Sequence, residues 1–190
     1  MRRIILSEMT TLDGYFARRD GSIDWHIVDD DFNTYAIDLL ERVDTILLGR
    51  KTYELFIQFW PAAHDNPVMT PSDLVIADHL NAAEKIVFSR TLDHADWKNT
   101  TVHRSIDANE LRRLKERPGK DLILYGSASL VPDFVKNGLI DEYHLFVCPL
   151  ILGDGLPLFD RMTTGDLPLT FQNTRTFSSG VVAMAYMAGA

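Results

Sequence analysis

Short apolar runs alternate along the 190-residue chain with longer segments whose apolar positions recur every three or four residues. The short runs are typical of buried strands, and the recurring positions mark one face of a helix. The runs predict strands at 3–8, 45–49, 85–89, 101–104, 122–126 and 142–152, followed by an alternating pair at 169–177 and 181–187. The recurring segments predict helices at 31–43, 51–57, 71–83, 107–117 and 128–135.

Capping residues indicate where several of these helices begin. Asp30 or Asp31 stands before the first helix, and Asp107 stands before the fourth. Thr70 and Asp73 have the spacing of a capping box around a proline at the first helical position. Side chains of this kind accept hydrogen bonds from the free N–H groups of a first helical turn. The three starts are therefore predicted more firmly than the helix ends.

The order of the elements predicts the fold class. Strands alternate with helices, and the chain closes with a hairpin that turns at residues 178–180. This order favours an α/β fold in three layers, with a mostly parallel central sheet, an antiparallel C-terminal edge and helices on both faces. Because no internal repeat or flexible linker divides the sequence, we expect a single domain over residues 1–190.

Composition narrows the possible partners. Hydrophobic residues make up 46% and charged residues 24%, as in ordinary globular proteins. A net charge of −8 gives no attraction to a phosphate backbone, so we expect no nucleic-acid partner. Cys148 is the one cysteine and cannot form an internal disulfide. Because no apolar stretch reaches the roughly 18 residues that span a bilayer, we expect a cytoplasmic protein without a membrane segment.

Three strand ends carry residues that suit anions. Gly49, Arg50, Lys51 and Thr52 follow the second predicted strand, Ser89 and Arg90 follow the next, and residues 126–129 (GSAS) follow a third. Glycine admits a phosphate close to the backbone, and helix N-termini, hydroxyls and arginines supply donors. Each turn alone is a common helix cap, but together they predict a dinucleotide site where strands give way to helices. The sequence contains neither GxGxxG nor a P-loop.

These motifs resemble a known family. The order GRKTYE, FSRT, YGSASL is similar to the dihydrofolate reductase superfold. MTTLDGYFA at 9–17, Trp25 and CPLILGDGLPLF at 148–159 resemble the branch that contains the reductase domain of the riboflavin-biosynthesis enzyme RibD and its stand-alone relatives. The resemblance extends from Ile4 to about Tyr186. No single motif is specific, but their combination is.

The resemblance implies a set of cofactor contacts. Gly49, Arg50, Lys51 and Thr52 would meet the cofactor phosphates, and Ser89 and Arg90 would lie near the adenosine ribose and its 2′-phosphate. The pyrophosphate would be lined by Gly126, Ser127, Ala128, Ser129 and Leu130. Two arginines near the ribose favour NADPH over NADH, because guanidinium binds phosphate bidentately. Ser127 stands where the superfamily usually has a second glycine, and a positive φ there would strain it.

The substrate side is less defined. Asn33 falls where dihydrofolate reductases carry a carboxylate, which argues against a true dihydrofolate reductase. Asp13 and Asp31 are the candidate catalytic acids, although a turn residue and a helix cap explain them equally well. Candidates for a ring-stacking wall that binds substrate are Trp25, Tyr35 and Tyr53, and aromatic residues at such spacing also occur in plain cores. The six histidines show no metal-binding spacing, so we expect no metal.

The resemblance implies an NADPH-dependent oxidoreductase acting on a pterin- or pyrimidine-like heterocycle. Its most specific form is the reduction of 5-amino-6-(5-phosphoribosylamino)uracil in riboflavin biosynthesis. One alternative is a dihydrofolate reductase that uses Asp31, and another is a non-catalytic nucleotide-binding module. The resemblance also favours a homodimer, for which the strand at 142–152 or the C-terminal strand would offer an edge.

Overall fold

The computed structural model describes residues 1–127, 129–159 and 165–189. Its strands are β1 Ile4–Thr11, β2 Tyr15–Ala17, β3 Val43–Gly49, β4 Glu84–Phe88, β5 Thr100–His103, β6 Asp121–Tyr125, β7 Glu142–Cys148, β8 Leu156–Pro157, β9 Leu169–Thr176 and β10 Val182–Ala188. Its α-helices are α1 Asp30–Glu41, α2 Arg50–Phe56, α3 Pro71–Ala82, α4 Ala108–Glu116 and α5 Val131–Lys136. A short 3₁₀ helix covers Ala63–Asp65.

Eight strands form one sheet in the order β5-β4-β3-β6-β1-β7-β10-β9. The first six run parallel to one another, and β10 pairs antiparallel with both β7 and β9. The small strands β2 and β8 pair separately. The predicted fold class is confirmed, including the antiparallel C-terminal edge.

Two apolar layers cover the opposite faces of this sheet. Alternate β1 residues divide between them, since Ile4 and Leu6 pack with α4 and α5, whereas Ile5 packs with α1, α2 and α3. The central strands are buried on both faces, which explains why they appear in the sequence as continuous apolar runs. Among the described residues, no helix is long and apolar enough to cross a bilayer.

The predicted helix starts are close to the observed ones. Thr70 and Asp73 form the capping box before α3, and Asp107 accepts hydrogen bonds from the first turn of α4. The cap of α1 is Asp29, one residue earlier than predicted, and its side chain accepts from the Phe32 N–H at 2.8 Å. All three caps satisfy N–H groups that would otherwise have no partner.

Three predicted boundaries were wrong by three residues or more. The strand predicted at 3–8 continues as β1 to Thr11. The helix predicted at 128–135 begins at Val131, with Pro132 in its first turn, and Ala128 lies outside the described residues. The strand predicted at 142–152 ends at Cys148. Pro149 follows and has no N–H group to continue the ladder, so the chain leaves the sheet there.

The predicted edge strands are internal. β7 lies between β1 and β10, and β10 lies between β7 and β9, so neither offers a free edge. The antiparallel edge is β9, all eight residues of which are exposed. Phe171 on this strand is 55% exposed although it packs edge-on against Tyr186. An edge strand that also shows apolar side chains is a ready surface for another chain.

Candidate functional site

A crevice opens at the end of the sheet where two neighbouring strands are followed by connections on opposite faces. The connection after β3 runs through helices on one face, and the connection after β6 runs through α5 on the other. β3 and β6 are neighbours, so their carboxyl ends are left uncovered between the two helical layers. This is the position at which open α/β sheets bind their ligands.

A cleft of about 300 Å³ lies at this edge and is lined by residues from three turns. Its lining consists of Arg50, Lys51, Phe88, Ser89, Arg90, Thr91, Ser127 and Ser129. Six of these are residues that the sequence analysis assigned to a cofactor, and the fold brings them together from positions up to 79 residues apart (129 − 50 = 79). The donor set of guanidinium, ammonium and hydroxyl groups suits phosphate oxygens.

Gly49 allows the first and third turns to lie against each other. A Cβ built on Gly49 would lie 2.7 Å from Cβ of Ser127, closer than two carbon atoms can approach. Ser127 does not adopt a positive φ, because Asn99 is the one non-glycine residue with such a φ in the described part of the chain. The serine at the second glycine position is therefore unstrained, and the absent side chain of Gly49 makes room for it.

Gly126 is the residue whose conformation demands glycine. Its φ is +52°, a left-handed value that β-carbon-bearing residues avoid. A Cβ at this position would lie 3.0 Å from Oγ1 of Thr52 and 3.2 Å from Oε2 of Glu8. The bare backbone of Gly126 thus faces a hydroxyl and a carboxyl group, in a cradle that a side chain would fill.

The basic groups of the cleft stand on its rim. Arg50 Nη1 donates to Oε1 of Glu54 at 2.7 Å, and Lys51 and Arg90 are exposed. Ser89 is buried, and its Oγ accepts from the N–H groups of Thr91 and Leu92, which shapes the turn that presents Arg90 outward. These cations are solvated and can reorient toward an anionic ligand.

Glu8 is a partly buried acid near these turns that the sequence analysis did not single out. It lies on β1, beside the Gly126 turn, and protein surrounds a carboxyl group that keeps only partial access to solvent. Burial raises the pKa of Glu8 to about 8, and the amides of Met9 and Gly126 restrain that rise. A glutamate inside the apolar run RIILSEM was the available signal, since strand interiors rarely hold an unpaired acid.

Asp13 holds two loops together. Its Oδ1 accepts from the Thr11 hydroxyl at 2.6 Å and the Leu152 N–H at 3.1 Å, and its Oδ2 accepts from the Gly153 N–H at 2.8 Å. The Thr11 hydroxyl and these amides lower the pKa of Asp13 to about 2. The carboxylate therefore fixes the glycine-rich loop after β7 against the end of β1, and both of its oxygens are already engaged.

Asp31 and Asn33 lie away from the cleft, on α1. The carboxylate of Asp31 accepts from Arg175 at 2.9 Å and from the Ser178 N–H at 2.9 Å, which ties α1 to the C-terminal hairpin. Asn33 is buried and donates to Asp73 at 3.3 Å. These contacts account for both side chains without a substrate, and no acid occupies the position of Asn33.

The three candidate ring-stacking residues are not brought together. Tyr53 is 3% exposed, and its hydroxyl accepts from the N–H groups of Asp96 and Trp97. Trp25 is buried under β1 and β7, with its Nε1 unpaired, and the Tyr35 hydroxyl lies 2.8 Å from Nδ1 of His144. The arrangement matches the plain-core interpretation of these aromatic residues.

Leu130 and Ala128 are the remaining cofactor candidates from the sequence analysis. Leu130 is buried, and its N–H donates to the Ser127 carbonyl at 2.9 Å, whereas Ala128 is not described.

A more open depression of about 530 Å³ lies at the opposite sheet edge but carries no lysine or arginine. Within the described ranges, no group of three His, Cys, Asp or Glu side chains is arranged to hold a metal.

The sheet order and the basic cleft at its carboxyl edge define a dihydrofolate reductase-like α/β domain. The family model of the RibD C-terminal domain matches residues 2–183, and the chain belongs to that family. It is 42% identical over 185 residues to the uncharacterized protein YyaP of Bacillus subtilis, covering 97% of this chain and 94% of that protein.

Two further comparisons connect the chain to riboflavin biosynthesis proteins. It is 25% identical to the riboflavin biosynthesis protein RibD of Corynebacterium ammoniagenes over 86% of its own length and 48% of that protein, so it spans about half of that relative. A putative riboflavin biosynthesis protein from Shewanella sp. PV-4 has the same fold, with a TM-score of 0.73, 22% identity and full coverage of both chains.

Proposed function

We propose that the protein is an NADPH-dependent reductase of a pyrimidine- or pterin-like heterocycle. In its most specific form the substrate is 5-amino-6-(5-phosphoribosylamino)uracil. The observation that carries this proposal is the cleft at the carboxyl edge, where three cations and four hydroxyl groups converge on one switch point. NADPH supplies hydride when bound, and the residues of the chain hold, orient and shield the two reactants.

The residues fit two parts of the cofactor, its pyrophosphate and its 2′-phosphate. Gly126 has no side chain at a point 3.0 Å from Oγ1 of Thr52, and a glycine in such a turn lets a pyrophosphate approach the backbone closely. Arg50 and Arg90 stand at the β3 and β4 ends of the cleft, where a 2′-phosphate would find a bidentate partner. Membership of the RibD C-terminal domain family supports the reaction class, and these two arginines support NADPH over NADH.

Titration with each nucleotide tests the proposal. We expect NADPH to accept energy from tryptophan fluorescence and to bind at least about tenfold more tightly than NADH. Arg90→Ala is expected to weaken NADPH binding by about tenfold to a hundredfold and to leave NADH nearly unchanged, because only NADPH carries the extra phosphate.

Arg113→Ala is the matched control, since Arg113 is exposed on α4, away from the cleft. It is expected to leave both affinities unchanged. Equal binding of the two nucleotides, independent of Arg90, would contradict the NADPH preference. Binding without hydride transfer to the pyrimidine would favour the non-catalytic module, and binding of neither nucleotide would refute the reductase.

We also propose that the protein forms a homodimer through β9. Its eight residues are all exposed, and Leu169 and Phe171 add apolar surface to an edge with unpaired backbone groups. We expect sedimentation at micromolar concentration to show a species of twice the single-chain mass, and Phe171→Lys to shift it toward the single chain. A single-chain species of the unaltered protein would contradict this assembly.

A further inference from the structure

We infer that Glu8, which lies beside the Gly126 turn just beyond the end of β6, is the proton donor of the reaction. This inference rests on the proposed reductase function. It assigns a catalytic role to a residue that lies outside the anion motifs and that is neither of the earlier candidate acids, Asp13 and Asp31.

The position of Glu8 follows from the strand pairing. β1 pairs with β6 only as far as Ser7 and Tyr125, but it continues along β7 to Thr11. Glu8 is therefore the first β1 residue beyond the end of β6, where the chain turns away at Gly126. Its Oε2 lies 3.2 Å from the position that a Cβ on Gly126 would occupy.

The distance across the sheet places Glu8 beyond the anion groups. The order β4-β3-β6-β1 puts Glu8 three strands from Arg90, and neighbouring strands lie about 4.8 Å apart, so the separation across the sheet is about 14 Å. A dinucleotide whose phosphates lie along the β4, β3 and β6 turns extends in the direction of β1. The nicotinamide ring of the dinucleotide and the substrate would then meet beside Glu8.

The surroundings of Glu8 explain why it keeps its proton. Tyr125 is the titratable neighbour from β6, Thr52 contributes a hydroxyl from α2, and β7 places Leu145 opposite in the register. Among the described residues, no lysine, arginine or histidine forms an ion pair with Glu8. Burial without a cation disfavours the carboxylate and raises the pKa of Glu8 to about 8.

The chemistry balances with this one donor. The carbon of a substrate C=N or C=O group receives hydride from NADPH, which leaves an electron pair on the nitrogen or oxygen. That atom takes the proton of Glu8, so one O–H bond breaks as an N–H or O–H bond forms. The resulting carboxylate regains a proton from water through the partly open side of the cleft. A neutral acid near physiological pH is suited to this role.

Infrared difference spectroscopy tests the protonation state without any substrate. The wild-type protein at pH 7 is expected to show a protonated carboxyl band that disappears with a midpoint near pH 8. Glu8→Gln keeps the shape of the side chain but replaces its carboxyl group by an amide, so the band should be absent from this variant. Glu84→Gln changes an exposed glutamate at the opposite edge and should leave the band unchanged. A wild-type protein without the band at pH 7 would overturn the inference.

Kinetics and binding then separate a proton donor from a structural residue. With NADPH and 5-amino-6-(5-phosphoribosylamino)uracil, Glu8→Gln is expected to lower kcat by about a hundredfold or more while NADPH affinity is unchanged. The wild-type rate should fall above pH 8, and the residual rate of Glu8→Gln should not. Unchanged kcat in Glu8→Gln would contradict the inference. If the wild-type protein did not bind NADPH, that result would instead refute the proposed reductase function.

Discussion

Alanine at position 126 is expected to weaken NADPH binding by at least about tenfold to a hundredfold while the protein remains folded. The new methyl group would lie 3.0 Å from Oγ1 of Thr52 and 3.2 Å from Oε2 of Glu8, so it would occupy the approach to the backbone and displace both groups. Fluorescence titration of Gly126→Ala with NADPH measures the effect directly.

Gly138→Ala is a closely matched control. Gly138 has φ +59°, close to the +52° of Gly126, but a Cβ there would meet nothing within 4 Å. Both variants should therefore lose about 1–2 kcal/mol of unfolding free energy from the left-handed backbone. Only Gly126→Ala should lose affinity for NADPH. Equal affinities in the two variants would show that the Gly126 cradle does not receive the cofactor.

Replacing Glu142 by glutamine is expected to lower the free energy of unfolding by about 2 kcal/mol at pH 7. Glu142 is buried at the start of β7, where Arg42 Nη2 donates to both its oxygens at 2.9 Å and Arg3 Nη1 donates at 2.6 Å. His144 Nε2 lies 3.2 Å from Oε2. The carboxylate thus joins β1, β7 and the end of α1, and both arginines are open enough for water to recover part of the loss.

The pH dependence of this effect has a definite sign. The hydrogen bond with His144, together with those from Arg3 and Arg42, lowers the pKa of Glu142 from 4.5 to about 2. Because the native state gives up this proton more readily than the unfolded chain, the stabilisation is fully present above about pH 4.5 and is lost as the pH falls toward 2. The difference between the wild type and Glu142→Gln should shrink over that window.

Thermal and denaturant unfolding provide the measurement. A loss of about 2 kcal/mol corresponds to a decrease in Tm of about 4–8 °C for a chain of this size. Glu84→Gln is the control, because Glu84 also begins a strand but is exposed, and its change should stay within about 0.5 kcal/mol. Equal stability of the two variants would mean that the Glu142 cluster contributes nothing beyond a surface ion pair.

Several features of the candidate site were predictable because they depend on local signals. The turns after β3, β4 and β6 carry glycine, hydroxyl and arginine residues next to apolar runs, and parallel strands bring such turns to one edge. The six cleft-lining residues predicted there do meet in the structure. The candidate acids were less predictable, because a carboxylate in a turn has the same local pattern whether it binds a substrate or caps a helix.

The structure itself decided the roles of those carboxyl groups. Asp13 accepts from the N–H of Leu152 and Asp31 accepts from the N–H of Ser178, which lie 139 and 147 positions away along the chain. Glu8 appears in the sequence as one polar residue in a strand, and only the end of β6 at Tyr125 leaves it without a strand partner on the side of Gly126. Lys85 is similar, since it begins an apolar run but is fully buried, with its Nζ donating to carbonyls at the end of α3.

The sequence by itself determined the buried strands, the capped helix starts, the fold class and the basic and hydroxyl residues that meet at the carboxyl edge of the sheet. These depend on residue period and on caps within a few positions, which are visible along the chain. Only the tertiary structure decided which carboxyl groups are engaged by distant residues, which aromatic residues belong to the core and which strand forms the antiparallel edge. The physical reason is that burial and pairing depend on neighbours that are distant in sequence, so one local pattern has different consequences in different surroundings.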